Sequence, residues 1–214
     1  MYRIGYIDDE PTQFDNFAKK LKRWFDDVEL ILLTNCNTKS EFVEKIYENK
    51  IDVLLVDYKM AQSFGYNGTR LISYINDQVR DLECFILTAV DTEQIDDGLV
   101  AARNVQSKTI FDTEAGDETK LQKLKEFVEI LKESADVYKA RREQKIEDYE
   151  KLLLKKQQGI LGADEEEFLS LYKVLSSYGM VEKLPEHLLR SEFDKQLDEL
   201  LLIGKAIIEE HSKE

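Results

Sequence analysis

Apolar and polar positions in the first half of the chain follow two alternating periods. Short, nearly unbroken apolar runs rich in branched residues fall at residues 3–7, 28–34, 51–57, 83–88 and roughly 105–108. Each reads as a strand buried on both faces, the pattern of a parallel sheet. Between them apolar residues move to helical spacing: Phe14, Phe17, Leu21 and Phe25 within 11–25, then Phe42, Val43, Ile46 and Tyr47 within 40–48. Leu71, Ile72 and Ile75 mark a third helix, which either Asn67 or Thr69 can cap. Ile95, Leu99 and Val100 predict a fourth over 91–102, whose sparse apolar face suits a segment that moves. The alternation predicts an α/β, doubly wound domain with a five-stranded parallel sheet.

No strand pattern survives past residue 116, so the remainder is all helical. Residues 117–157 contain neither glycine nor proline, and a helix of that length extends roughly 60 Å. Leu121, Leu124, Val128, Leu131, Ala135 and Tyr138 follow a heptad that Ile146, Tyr149 and Leu153 resume after an extra turn, a coiled-coil pattern with a stutter. The polar stretch 139–145, with Arg141 and Arg142, reads as a solvated bridge. Gly159 and Gly162 punctuate the helix, and Asp164 is placed to cap another, with acidic residues 165–167 in its first turn. Phe168, Leu169, Leu171, Tyr172, Val174 and Leu175 give that helix a wide apolar face. Ser191 is placed to cap the last helix, which carries Phe193, Leu197, Leu200, Leu201, Ile207 and Ile208.

This pattern divides the chain into a first domain over 1–133, a coiled-coil-like linker over 134–158 and a small all-α interaction module over 159–214. Tyr138, Ile146, Tyr149 and Leu153 fall past the expected reach of the first domain. They predict a homodimer in which long helices pair or receive the terminal helices; the alternative is a monomer whose last two helices fold back over the seam.

Charge narrows the partners. The net charge is −14, shared as −8 over residues 1–116 and −6 over 117–214. Phosphate contacts dominate nucleic-acid affinity, so an acidic helical region argues against DNA. No apolar run is long enough to span a membrane, and the start MYRIGYIDDE lacks the features of a signal peptide, which predicts a cytoplasmic protein without membrane contact. Cys36 and Cys84 are far apart and read as small hydrophobes. His187 and His211 have no neighbour at metal-ligand spacing and read as surface residues.

The chemistry-bearing residues stand at strand ends. Asp57 closes the most apolar run, and in an open α/β sheet ligands bind at the carboxyl ends of the strands. A carboxylate there either caps the next helix or takes part in chemistry. Asp8, Asp9 and Glu10 end the first strand, where a divalent cation relieves their repulsion and hard oxygen ligands suit magnesium. Thr88 ends the fourth strand and Lys108 the fifth.

Taken together in that order, these positions make residues 1–133 resemble the receiver domain of two-component response regulators. The resemblance implies a flavodoxin-like fold with Asp57 as phosphoacceptor. Asp8 and Asp9 would bind Mg2+ with Asp57 and the backbone carbonyl of Lys59. Thr88, beside Ala89, matches the switch hydroxyl, and Lys108 the active-site lysine. A sensor histidine kinase is the implied partner. The chain is then a signalling phosphoprotein, not an enzyme beyond its own phosphorylation and dephosphorylation, and the helical region is an output for an unknown protein partner.

Departures from the family pattern mark where it is under test. Met60 is present, Ala61 replaces a proline, and Gly68 stands about three residues late, so the loop after Asp57 is longer and brings in Phe64 and Tyr66, which either pack the loop down or shield the site. Thr109 follows Lys108 where the family has a proline after a cis peptide, a bond that without proline costs roughly 3 kcal/mol. Val105 stands where an aromatic residue usually switches. Two alternatives follow: an RNA-binding, antiterminator-like helical output, although the last 55 residues show no basic or aromatic stripe, and a pseudo-receiver serving as a dimerisation scaffold.

Overall fold

A computed structural model of the protein describes residues 1–90, 95, 98–113 and 117–211, which divide into two compact units, 1–141 and 142–214. In the first, strands β1 (Tyr2–Ile7), β2 (Val28–Leu32), β3 (Val53–Asp57), β4 (Cys84–Thr88) and β5 (Val105–Ser107) form one parallel sheet in the order β2-β1-β3-β4-β5. This is the doubly wound order of flavodoxin-like folds, with its winding reversed between β1 and β3. Every residue of β3 and β4 is buried, as expected for strands covered on both faces.

Helices α1 (Phe14–Trp24), α2 (Lys39–Glu48) and α4 (Gly68–Gln78) fall where the periodicity places them. The loop after β3 contains a further single turn, α3 (Ala61–Phe64). Asn67 holds the N-cap position of α4 but makes no side-chain cap bond, and Thr69 lies inside the helix rather than at its cap. Instead the Gly68 N–H donates to the Tyr58 carbonyl at 2.9 Å, and the helix begins directly against the end of β3. A Cβ on Gly68 would stand 2.0 Å from the Asp57 carbonyl oxygen. Backbone cannot yield as a side chain can, so Gly68→Ala is expected to lower stability by about 3 kcal/mol in urea denaturation, and a parent-like midpoint would contradict this contact.

The helix expected over 91–102 is only partly testable, because 91–94 and 96–97 lie outside the described residues. Its second half is corrected. Gly98 adopts φ +68, in the left-handed region that glycine favours, residues 98–100 bend, and a 3-10 turn follows at Ala102–Asn104. The Asn104 amide donates to Glu83 and to the Cys84 carbonyl, which fixes the entry to β5.

Helix α5 (Glu118–Gln157) spans the boundary between the units. Within the first unit Leu124, Phe127, Val128, Leu131 and Ala135 join the core, where Phe127 meets the edge of Phe85 at 5.9 Å. Tyr138 is 2% exposed, so the expectation that it lies past the reach of the first domain is corrected. The polar stretch after it is not purely a solvated bridge either. Lys139 pairs with Asp52 at 3.3 Å and lies over the Tyr2 ring, and Arg141 pairs with Asp81 at 2.8 Å.

In the second unit α6 (Glu165–Ser177) covers the end of α5. Tyr149 stacks on Phe168 at 5.3 Å, in a core with Leu152, Leu161, Leu169, Tyr172, Leu175 and Leu189. Asp164 stands at the N-cap of α6 but makes no cap bond; its carboxylate pairs with Lys155 at 2.6 Å instead. The last helix is α7 (Ser191–His211).

Candidate functional site

The reversal of winding creates a crevice outside the carboxyl ends of β1 and β3. Ile7 pairs with Val56, so Asp8, the next residue, arrives beside Asp57. On the other side Asp57 pairs with Leu87, and Thr88 with Ser107, so Lys108 follows one residue beyond Thr88. Four strands thus deliver all five sequence-selected residues to one end of the sheet. A cavity of about 680 Å³ opens there, lined by Asp8, Asp9, Asp57, Lys59 and Lys108 among others.

Lys108 is the hinge of the charge arrangement. Its Nζ lies 2.7 Å from Asp8 Oδ2 and 2.7 Å from Asp57 Oδ1. The lysine reaches this place without a proline after it: Ser107 caps a 3-10 turn (Lys108–Phe111) by accepting the Thr109 N–H, and among the described residues no peptide bond is cis. The three groups shape one another's protonation. Burial pushes the Asp57 carboxyl up, the Lys108 bond and charge pull it down, Asp8 pushes it up again, and the net shift is upward. Burial also works against the Asp8 carboxylate, but bonds from Lys108, Tyr6 and the Glu10 N–H outweigh it and hold Asp8 below the usual range. For Lys108 burial favours the neutral amine and is outweighed by Asp57 and Asp8, so its pKa is raised.

One carboxylate oxygen of each of Asp8, Asp9 and Asp57 lies within 4.8 Å of the others, a spacing at which a single cation can touch all three. The donors are hard oxygens, three carboxylates against one lysine, which fits Mg2+ better than a soft metal. Lys59 lines the same cavity, and its backbone N–H helps to pull the Asp57 carboxyl down. Thr88 is fully buried, its Oγ1 accepts the Val90 N–H at 3.0 Å, and its neighbour Ala89, not Thr88, lines the cavity. Phe64 and Tyr66 do not line it. Phe64 meets the edge of Phe42 on α2 at 5.6 Å and Tyr66 lies against Phe64, so they pack the loop down.

Two residues of the site carry no sequence signal. Tyr6, in the middle of an apolar strand, is buried, and its hydroxyl donates to Asp8 Oδ2 at 2.5 Å. Ser63, on the extra turn α3, donates to Asp9 Oδ2 at 2.8 Å. Tyr6→Phe removes a donor to an ion and is expected to cost about 1.5 kcal/mol in urea denaturation at neutral pH. Asp8 has a depressed folded pKa, so its contribution is present above its ordinary value and is lost as pH falls through the folded value. The Tyr6→Phe deficit should therefore shrink in acid, and a deficit independent of pH would contradict the assigned bond.

No family model matches the chain, and no curated protein matches it. Similar solved structures include a response regulator receiver domain protein (CheY-like) from Methanospirillum hungatei JF-1, 20% identical, covering 62% of this chain and 98% of its own with a TM-score of 0.42. A response regulator from Thermotoga maritima is 20% identical and covers 58% and 96%, with a TM-score of 0.41. A response regulator protein from Burkholderia pseudomallei, with a phosphorylated aspartic acid, calcium ion and citrate, is 18% identical and covers 84% and 94%, with a TM-score of 0.37. By its own strand order and parallel pairing, the first unit of this chain has the five-stranded, doubly wound fold of receiver domains.

Proposed function

We propose that this protein is a response regulator whose first unit accepts a phosphoryl group on Asp57. The observation that supports the reading most is the position of the Asp57 carboxylate: it is nearly buried at the switch point, 2.7 Å from Lys108 and within 4.8 Å of the Asp8 and Asp9 carboxylates. A carboxylate oxygen attacks the phosphorus of a phosphodonor, the new O–P bond forms as the donor's bond to phosphorus breaks, and the leaving group takes the electron pair and a proton. A sensor histidine kinase is the natural donor, and the reading places the encounter in the cytoplasm.

Asp8, Asp9, Asp57 and the Lys59 carbonyl are the residues that would hold Mg2+. When bound, the ion neutralises charge on the transferring phosphoryl group. Lys108 sits against the Asp57 oxygen and is placed to compensate the oxyanions of the product. Tyr6 and Ser63 keep the two acids of β1 in position. Thr88 accepts the Val90 N–H through an oxygen lone pair, which leaves its O–H to donate to a phosphoryl oxygen on Asp57 and ties the state of Asp57 to the loop after β4. The helical region carries the output as a protein-interaction surface, and its acidity disfavours DNA.

Incubation of the full chain with a small-molecule phosphodonor and Mg2+ tests this. The expected product is one acid-stable, base-labile acyl phosphate per chain, formed only with a divalent cation. No incorporation under saturating donor would overturn the reading in favour of a scaffold that never takes phosphate.

A further inference from the structure

The side chains expected to pair long helices are mostly covered: Tyr138 within the first unit, and Tyr149 within the second. The apolar surface that remains lies on α7. Residues 195–203 include no buried position, and Leu197, Leu200, Leu201, Leu202 and Ile203 are between 46% and 69% exposed. Four of them, Leu197, Leu200, Leu201 and Ile203, share one side of the helix and present on the order of 400 Å² of apolar surface, as large as the biggest patch of a typical monomer. An isolated helix is also marginal in water, since most helical stability comes from packing an apolar face.

The order of residues on α7 identifies what covers it. With Leu197 as position a of a heptad, Leu200 is d, Leu201 e and Ile203 g, and Gly204 returns to a with open space where a Cβ would stand. Asp198, Glu199 and Lys205 take b, c and b, and Lys195 takes f, so these charges stand off the seam. Two copies can therefore face each other without bringing these like charges together, although the chain as a whole is strongly acidic. The apolar e and g positions supply no charge code for choosing a different helix. Two such faces together bury roughly 800 Å², well below a standard interface and the size of a weak, concentration-dependent pair.

We propose that residues 197–204 of α7 form a self-association surface that pairs face to face with the same helix of a second copy of this chain. The inference is independent of the chemistry at Asp57.

Light scattering and sedimentation of the full chain, from about 0.1 to about 100 μM, test it. The parent should pass from monomer to dimer mass within that range. Leu200→Lys combined with Leu201→Lys should weaken association at least a hundredfold, because both side chains lose a buried environment. Leu202→Lys adds charge on the same helix at position f, on the charged side, and should leave the dimer nearly unchanged. Ile130→Lys, at an exposed site on α5, should also leave it unchanged. A parent that stays monomeric at all concentrations overturns the proposal, even if it binds some other protein. So do aggregates of no fixed mass, a dimer that survives the double substitution, or one lost equally with Leu202→Lys or Ile130→Lys.

Discussion

Replacing Asp57 with asparagine is expected to reduce phosphoryl incorporation to background while the fold is kept. The amide lacks the anionic oxygen that attacks phosphorus, and neighbouring acids are poorly placed to take over. Asp8 already accepts bonds from Tyr6, Lys108 and the Glu10 N–H, and Asp9 accepts one from Ser63. Stability provides the control. Burial, the largest influence on Asp57, raises its folded pKa, so the group's contribution is present below its ordinary value and is lost as pH rises through the folded one. At neutral pH the carboxylate is therefore a burden to the folded state, and Asp57→Asn should be at least as stable as the parent. Undiminished labelling of a folded Asp57→Asn would show that the phosphoacceptor is elsewhere.

The second large effect is expected from Lys108→Met. This change leaves Asp8 and Asp57, with side chains only 5% and 7% exposed, as facing carboxylates without the cation between them. Removing one partner of a nearly buried ion pair costs about 3 kcal/mol, far more than the same change at the surface. The raised pKa of Lys108 means that its contribution is present below its ordinary value and lost only as pH rises through the folded one, well above neutrality. In acid the deficit should fade, because protonated carboxyls no longer repel. Mg2+ should restore much of the stability at neutral pH, since an ion that binds only the folded state shifts the equilibrium by mass action. Denaturation curves with and without Mg2+ measure both terms, and a neutral-pH deficit unchanged by the ion would argue against a cation shared by these acids.

Much of this site is legible in the sequence because it rests on backbone arithmetic. Each apolar run is short enough to be one strand, and the residue that ends it must emerge at the carboxyl end of a parallel sheet. Asp8, Asp57, Thr88 and Lys108 are placed by that rule alone, even though Lys108 lacks the proline that normally follows. What the rule cannot reach is chemistry carried by side chains that look apolar or sit in loops. Tyr6 reads as one more core residue of β1, and its hydroxyl shows its use only when Asp8 is folded above it. Ser63 belongs to a turn that no periodicity announces. Gly68 reads as a displaced family glycine, but its requirement is steric: no side chain fits against the Asp57 carbonyl.

The helices teach the complementary lesson. Heptad spacing shows that α5 has an apolar seam but not what covers each part of it, and Phe127, outside the heptad, is among the residues the sheet takes up. Phe168 and its neighbours on α6 cover the far end of α5, so the surface left for a partner moves to α7. Over 91–102 a few apolar residues at helical spacing were too weak a signal against Gly98, whose backbone bends the described part of the segment.

The most direct test of the account is to find which residue carries the phosphoryl group. Labelled protein can be reduced with borohydride, which converts an aspartyl phosphate to homoserine, and the peptide spanning β3 and the loop after it can then be sequenced by mass spectrometry. The account predicts homoserine at position 57 in the phosphodonor-treated sample with Mg2+, and aspartate there in samples lacking either. Homoserine at position 8 or 9, or an unmodified Asp57 in protein that has demonstrably taken up phosphate, would contradict it.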